Sequence, residues 1–197
     1  MKVSRPKVLC ELSGRPLIHY VLDQLLRLKK KVKQIVIVIG YKGKQVEQAI
    51  RQDFKTKGIT TKIDFVYQAK MLGTADAVRV ASKKIRYSNV LVLCGDAPLI
   101  TSKVISSFIS YFLRKKLSSA VLTADVKEKN SLGSILRDKD GKIMAIKEKL
   151  SLTDSRGADK SLEINSGIYC FRKDILSKSL TRIKANKKKG EYFLTDI

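Results

Sequence analysis

The chain has 197 residues, enough for one domain with a substantial core and too few for two comfortable ones. Its 44% hydrophobic and 30% charged residues are the balance of a globular protein, which excludes wholesale disorder. Lysine and arginine number 41 against 18 acidic residues, and the formal charge of +23 would draw any polyanion, including nucleic acid, phosphates and acidic membrane surfaces. No stretch approaches the ~18 consecutive apolar residues of a membrane span, and residues 1–6 lack the apolar centre of a signal peptide, so a cytoplasmic location is expected.

In chain order, Ser13-Gly14-Arg15-Pro16 sets up a helix with Pro16 as its first residue, and Leu17, Tyr20, Val21, Leu25, Leu26 and Leu28 then recur at helical spacing. The β-branched run 35–39, ended by Gly40, reads as a strand buried on both faces. Val46, Ala49, Ile50 and Phe54 mark a second helix, 63–67 a strand, 74–85 a helix and 90–93 another continuous apolar strand. Such alternation predicts an α/β fold with a parallel sheet. Beyond it, 120–124 reads as a strand, 135–143 as a hairpin turning at Asp140-Gly141, and 168–171 as a last strand.

The three cysteines, Cys10, Cys94 and Cys170, lack the paired spacings of zinc or redox sites and read as small buried hydrophobes. His19 lies in an apolar run and is assigned a structural role. The lysine clusters at 29–31, 83–84 and 187–189 fall at apparent helix ends, where cations complement the helix dipole and stay solvated. Aromatic residues do not interleave with them, which argues against a single-strand nucleic-acid groove.

Ligands of parallel α/β sheets bind beyond the carboxyl ends of the strands. There stand Gly40-Tyr41-Lys42, Gln68 and Gly95-Asp96-Ala97-Pro98. Asp96 follows a strand and precedes a stiffening proline, so it either holds Mg²⁺ together with substrate phosphates or merely starts a turn or caps the next helix. Gln68 offers an amide to a base edge, and Gly73-Thr74 opens a helix with little steric bulk, as an ordinary helix cap also would. Lys7, beside Pro6, could face a phosphate as a point charge or be one surface lysine among many.

Five segments resemble, in order and approximate spacing, the N-terminal uridyltransferase domain of the bifunctional N-acetylglucosamine-1-phosphate uridyltransferase/glucosamine-1-phosphate acetyltransferase family. They are Pro6-Lys7-Val8-Leu9, residues 68–77 with Gln-Ala and Leu-Gly-Thr, 95–100, 163–168, and the terminal Gly190-Glu191-Tyr192-Phe193-Leu194-Thr195-Asp196-Ile197. The resemblance implies a Rossmann-like nucleotidyltransferase fold with a mostly parallel mixed sheet, and transfer of a uridylyl group from UTP to N-acetylglucosamine 1-phosphate. The products, UDP-N-acetylglucosamine and pyrophosphate, would serve synthesis of peptidoglycan and lipopolysaccharide. It implies Lys7 as a phosphate contact, Gln68, Gly73 and Thr74 as the uracil cradle, Cys94 and Gly95 along the nucleotide, Asp96 as a ligand of the Mg²⁺ cofactor, and Gly133, Glu148 and Asn165 around the N-acetylglucosamine moiety.

The family pattern also departs from this chain. Its first strand and the glycine-rich triphosphate loop that follows would precede Met1, and that strand is central, so its neighbours here are expected to lack backbone partners. A second Mg²⁺ ligand, an asparagine, and the acetyltransferase β-helix on which assembly into a homo-oligomer largely depends would follow Ile197. The family's Gly-Tyr-Gly-Arg-Ile reads Ser131-Leu132-Gly133-Ser134-Ile135. The chain is therefore expected to be an incomplete nucleotidyltransferase domain with little turnover by itself. Two alternatives are another sugar-1-phosphate nucleotidyltransferase and a non-catalytic basic remnant that binds nucleic acid.

Overall fold

The computed structural model describes residues 5–127, 133–147, 162–186 and 190–197. The chain enters through a 3-10 turn, Lys7–Leu9, and a short antiparallel ladder of β1 (Glu11–Leu12) and β2 (Arg15–Pro16). Ser13 and Gly14 turn this ladder at positive φ. Pro16 is the cap rather than the first turn of α1 (Leu17–Leu26), and Ile18, Val21 and Leu22 on its inner face are buried.

Strand β3 (Ile35–Ile39) and β4 (Ile63–Tyr67) pair in parallel around α2 (Gly43–Thr56), whose Val46, Ile50 and Phe54 fall four apart on the buried face. These elements and α1 enclose one core, with Leu22 and Ile50 almost fully buried. Each such side chain contributes ~1.5–3 kcal/mol relative to exposure.

The second sheet is built around β9 (Leu162–Arg172). It pairs antiparallel with β5 (Asn89–Val92) on one edge and β6 (Ser119–Val126) on the other; β7 (Ser134–Arg137) meets β9 at Ile164 and pairs with β8 (Ile143–Lys147). Successive β9 residues point to opposite faces. Tyr169 and Phe171 join a core with α3 (Thr74–Ser82) and α5 (Lys173–Leu180), whereas Ile168 and Cys170 join one with α4 (Ser102–Arg114).

Parallel and antiparallel pairing both occur, as a mixed arrangement requires, but among the described strands only β3–β4 is parallel and every other pair is antiparallel, so the arrangement is not mostly parallel. Residues 90–93 read as a parallel strand because they form a continuous apolar run; covering on both faces produces that run equally well in a strand antiparallel to β9. Strand β3 pairs only with β4, and β5 only with β9, among the described residues. Apart from the short β1–β2 ladder, two separate sheets therefore form among the described residues where sequence alternation predicts one. No helix among the described residues is long and apolar enough to cross a membrane.

Candidate active site

Strand β5 ends into a turn holding Cys94, Gly95 and Asp96. Gly95 packs so closely on α1 and the entry turn that a Cβ there would lie 2.9 Å from Ile18 Cδ1 and 3.3 Å from Val8 Cγ1. That contact brings the neighbour of Val8, Lys7, to Asp96: Nζ stands 2.6 Å from Oδ2. The hydrogen bond from Lys7 to Asp96 and the carboxylate charge raise the lysine pKa, so it is a fixed cation. Asp96 does not cap α4, because Thr101 fills that role, its Oγ1 accepting from the Val104 N–H.

Cys94 is exposed, a correction to the buried role expected from its apolar surroundings, and Cys10 is half-buried; Cys170 alone is buried. Cys94 lies two residues beyond the end of β5, just before the turn at Gly95 and Asp96. Its Sγ lies 3.8 Å from the Gly167 carbonyl. Desolvation of the sulfur, helped by Asp96, pushes the thiol pKa up, so it is not an activated nucleophile.

Gly167 sits where β9 bulges opposite Leu122 and Thr123, with φ +74°. Within the bulge, Asn165 Oδ1 accepts from the Gly167 N–H at 2.9 Å and Nδ2 donates to the Tyr169 hydroxyl at 2.7 Å. The Asn165 N–H donates to the Gly133 carbonyl at 2.8 Å. Lys7, Cys94, Gly95, Asp96, Gly133 and Asn165 are thereby linked by contacts into one constellation. Asn165 is buried, and both ends of its amide are engaged within the protein. Glu148 lies outside the described residues.

The second group stands at the start of α3. Gln68, buried just beyond β4, donates from Nε2 to the Gly73 carbonyl at 3.2 Å and to Asp76 Oδ2 at 2.9 Å. Gly73 has φ +95° and ψ 179°, a conformation reserved for glycine. The terminal segment lies across it: Tyr192 N–H donates to the Leu72 carbonyl, Ala75 N–H to the Tyr192 carbonyl, and Leu194 N–H to Thr74 Oγ1. The helix start that sequence reads as open to a ligand thus has its Ala75 N–H and its threonine hydroxyl engaged by residues 192–194. Tyr192 packs in the same core as Tyr169, which connects this group to the Asn165 bulge.

Asp76, Arg79 and Tyr192 are joined to this group by contacts, although sequence reasoning assigned none of them a role. Arg79 bridges Asp76 Oδ1 and the Leu180 carbonyl, each at 3.1 Å, and its guanidinium lies 4.8 Å from the centre of the Tyr192 ring. The signal was present in the acid-arginine spacing of one helical turn, with Asp76 inside the 68–77 segment and Arg79 two residues beyond its end.

For Mg²⁺, the described residues offer no cluster of three or more His, Cys, Asp or Glu side chains. One carboxylate at Asp96, neutralised by Lys7, suits a cation that takes most of its ligands from substrate phosphates and water, and does not suit a cage made wholly of protein.

A model of the nucleotidyl transferase family matches residues 1–197. The chain is 39% identical over its full length to the Bifunctional protein GlmU of Francisella tularensis subsp. novicida, and spans 40% of that relative. Among solved structures, HddC from Yersinia pseudotuberculosis is 25% identical with a TM-score of 0.67, over 90% of this chain and 72% of that one. UDP-glucose pyrophosphorylase complexed with UDP-glucose is 22% identical with a TM-score of 0.70, over 97% and 76%, a likeness of fold. The two sheets and their covering helices are thus those of a Rossmann-like nucleotidyltransferase, and the chain belongs to the nucleotidyl transferase family.

Proposed function

We propose that the chain contributes the nucleotide- and sugar-binding residues of an enzyme that transfers a uridylyl group from UTP to N-acetylglucosamine 1-phosphate. Because it spans 40% of its curated relatives, the activity is proposed for a longer polypeptide that carries these residues. The observation that carries the reading is the Lys7–Asp96 pair at the β5 turn, a cation and a hard oxygen ligand at one point, within a chain that keeps the family's five motifs in order.

In the proposed reaction a phosphate oxygen of the sugar phosphate attacks the α-phosphorus of UTP, the new P–O bond forms, the bond to the bridging oxygen of the β-phosphate breaks, and pyrophosphate leaves. Lys7 offsets phosphate charge as a point cation, Asp96 would hold Mg²⁺, and the cradle at Gln68, Gly73 and Thr74 orients the base. Bound Mg²⁺ would neutralise charge on the phosphates. No side chain has to become covalently attached; rate comes from holding two anions in line and compensating their charge. Gly133, Asn165 and Glu148 are assigned to the sugar. Asn165 offers it only the amide proton and oxygen lone pair that remain after its two internal bonds.

Pyrophosphate release from UTP, measured across a panel of sugar 1-phosphates with the chain extended by its own flanking coding sequence, tests the reading. Preference for N-acetylglucosamine 1-phosphate is expected. Equal turnover of other sugar phosphates would reassign the enzyme within the family.

A further inference from the structure

The Gln68 amide has four hydrogen-bonding sites, two donors on Nε2 and two lone pairs on Oε1. Both donors are engaged, by the Gly73 carbonyl and by Asp76 Oδ2. Those partners only accept: a carbonyl has no proton to give, and the Asp76 carboxylate is paired with the Arg79 guanidinium at 3.1 Å. Rotating the amide by half a turn would set its oxygen against two other oxygens. The orientation is therefore dictated by its neighbours. Oε1 has no protein partner among the described residues, and it is not one of the two sealed polar atoms that lack one, which are His19 Nε2 and Ser134 Oγ. The end of Gln68 left to a ligand is an acceptor.

We propose that Asp76, held in place by Arg79, is a positioning residue that fixes the Gln68 amide with its oxygen toward the nucleobase, so that the pocket selects a base presenting an N–H. This rests on the uridine nucleotide reading for the identity of that base: the one ring N–H on the pairing edge of uracil is at N3. Asp76 touches no substrate. It acts through Gln68, and Arg79 carries the same arrangement to the wall of the cradle by way of the Leu180 carbonyl and the Tyr192 ring. The terminal segment that closes over Gly73 and the side chain that orients the base-reading amide are thus tied to one guanidinium.

Two measurements on the 197-residue chain test the proposal. The first follows the side-chain amide protons of Gln68 by NMR in the chain and in Asp76→Ala and Asp76→Asn. The chain should show slow hydrogen exchange at this amide. Asp76→Asn, which keeps an oxygen acceptor but loses its charge, should speed exchange several-fold, and Asp76→Ala should bring it close to that of a surface glutamine. Unchanged exchange in both variants would overturn the proposal whichever nucleotide binds. The second compares affinity for UTP and for N3-methyluridine triphosphate, in which the donor is replaced by a methyl group. The chain should prefer UTP by at least ~10-fold, the loss of one good hydrogen bond to a buried group. Asp76→Ala should reduce the preference to within ~3-fold and Asp76→Asn should retain most of it. A preference that persists in full in Asp76→Ala would show that bulk at N3 decides selection, against the proposal. Failure of the uridine reading looks different: the chain would prefer another nucleoside triphosphate over UTP while the Gln68 amide still responded to Asp76.

Discussion

Replacing Gly73 with alanine attacks the cradle at its most constrained point. At φ +95° and ψ 179° an L side chain is strained, by ~1–3 kcal/mol for such regions. The added Cβ would also lie 2.5 Å from the Tyr192 carbonyl oxygen and 2.9 Å from its nitrogen. These are backbone atoms, which cannot swing aside as a side chain would. Relief requires the terminal segment to lift, with loss of the Tyr192-to-Leu72 and Ala75-to-Tyr192 bonds now at 2.7 and 2.9 Å, at ~1 kcal/mol each. A combined destabilisation of ~3–5 kcal/mol is expected in urea unfolding. Hydrogen exchange should localise the damage, with the Ala75 and Tyr192 amides losing protection while β9 keeps it. A shift below ~1 kcal/mol with Ala75 still protected would refute the view that glycine is required there by the passing backbone.

Stability should fall on mild acidification. Burial, partly countered by Asp53 at 3.6 Å from Nδ1, holds the His19 pKa below the usual 6.5, so the unfolded chain takes up this proton first; urea midpoints should drop as pH falls from about 6.5, and His19→Phe should flatten that limb. Glu163 is different: the Arg137 hydrogen bond holds its carboxyl below 4.5, so its contribution is present above that value and lost only in stronger acid. Asp96→Asn should change stability by less than ~1 kcal/mol, because Lys7 is mostly exposed, yet lower nucleotidyl transfer by the longer polypeptide roughly 100-fold or more; equal losses of folding and activity would contradict the assigned role. Ile105→Ala, at a position 1% exposed on the buried face of α4, should cost ~2–5 kcal/mol in chemical denaturation.

The strands and helices of the first half were legible because their apolar periods are clean: β3, α2 and β4 fall where β-branched runs and four-residue spacing put them. Helices α4 and α5 escaped notice. In α4 the serines at 102, 106, 107 and 110 dilute a pattern whose buried members are Ile105, Phe108 and Phe112. Strand β9 runs six residues earlier than its apolar stretch at 168 because Glu163, Asn165 and Ser166 are held by pairing and by the bulge, neither of which is a local signal. Lys31, read as a solvated helix-end cation, is exposed and also donates to Ser106 and Ser110 of α4. His19 is buried, as its apolar neighbours suggest.

At the candidate site, the motifs named segments that the fold links by contacts but not the pairings within them. Nothing local in Lys7 points to Asp96, 89 positions on, and the shared turn depends on Gly95 packing over Ile18. Gln68 was legible as an amide at a strand end, and Asn165 only through the family resemblance. That their protons are directed by Asp76 and Tyr169 follows only from the tertiary contacts of α3 and β9.

Backbone amide shifts of the isotopically labelled chain, followed during titration with UTP and Mg²⁺, test the assignment most directly. The account predicts that the largest changes fall at Gln68, Gly73 and Thr74 on one side and at Gly95, Asp96 and Lys7 on the other, and that Asp96→Asn weakens the second group more than the first. Changes confined to the lysine-rich surface at 29–31 and 83–84, with both groups silent, would contradict it.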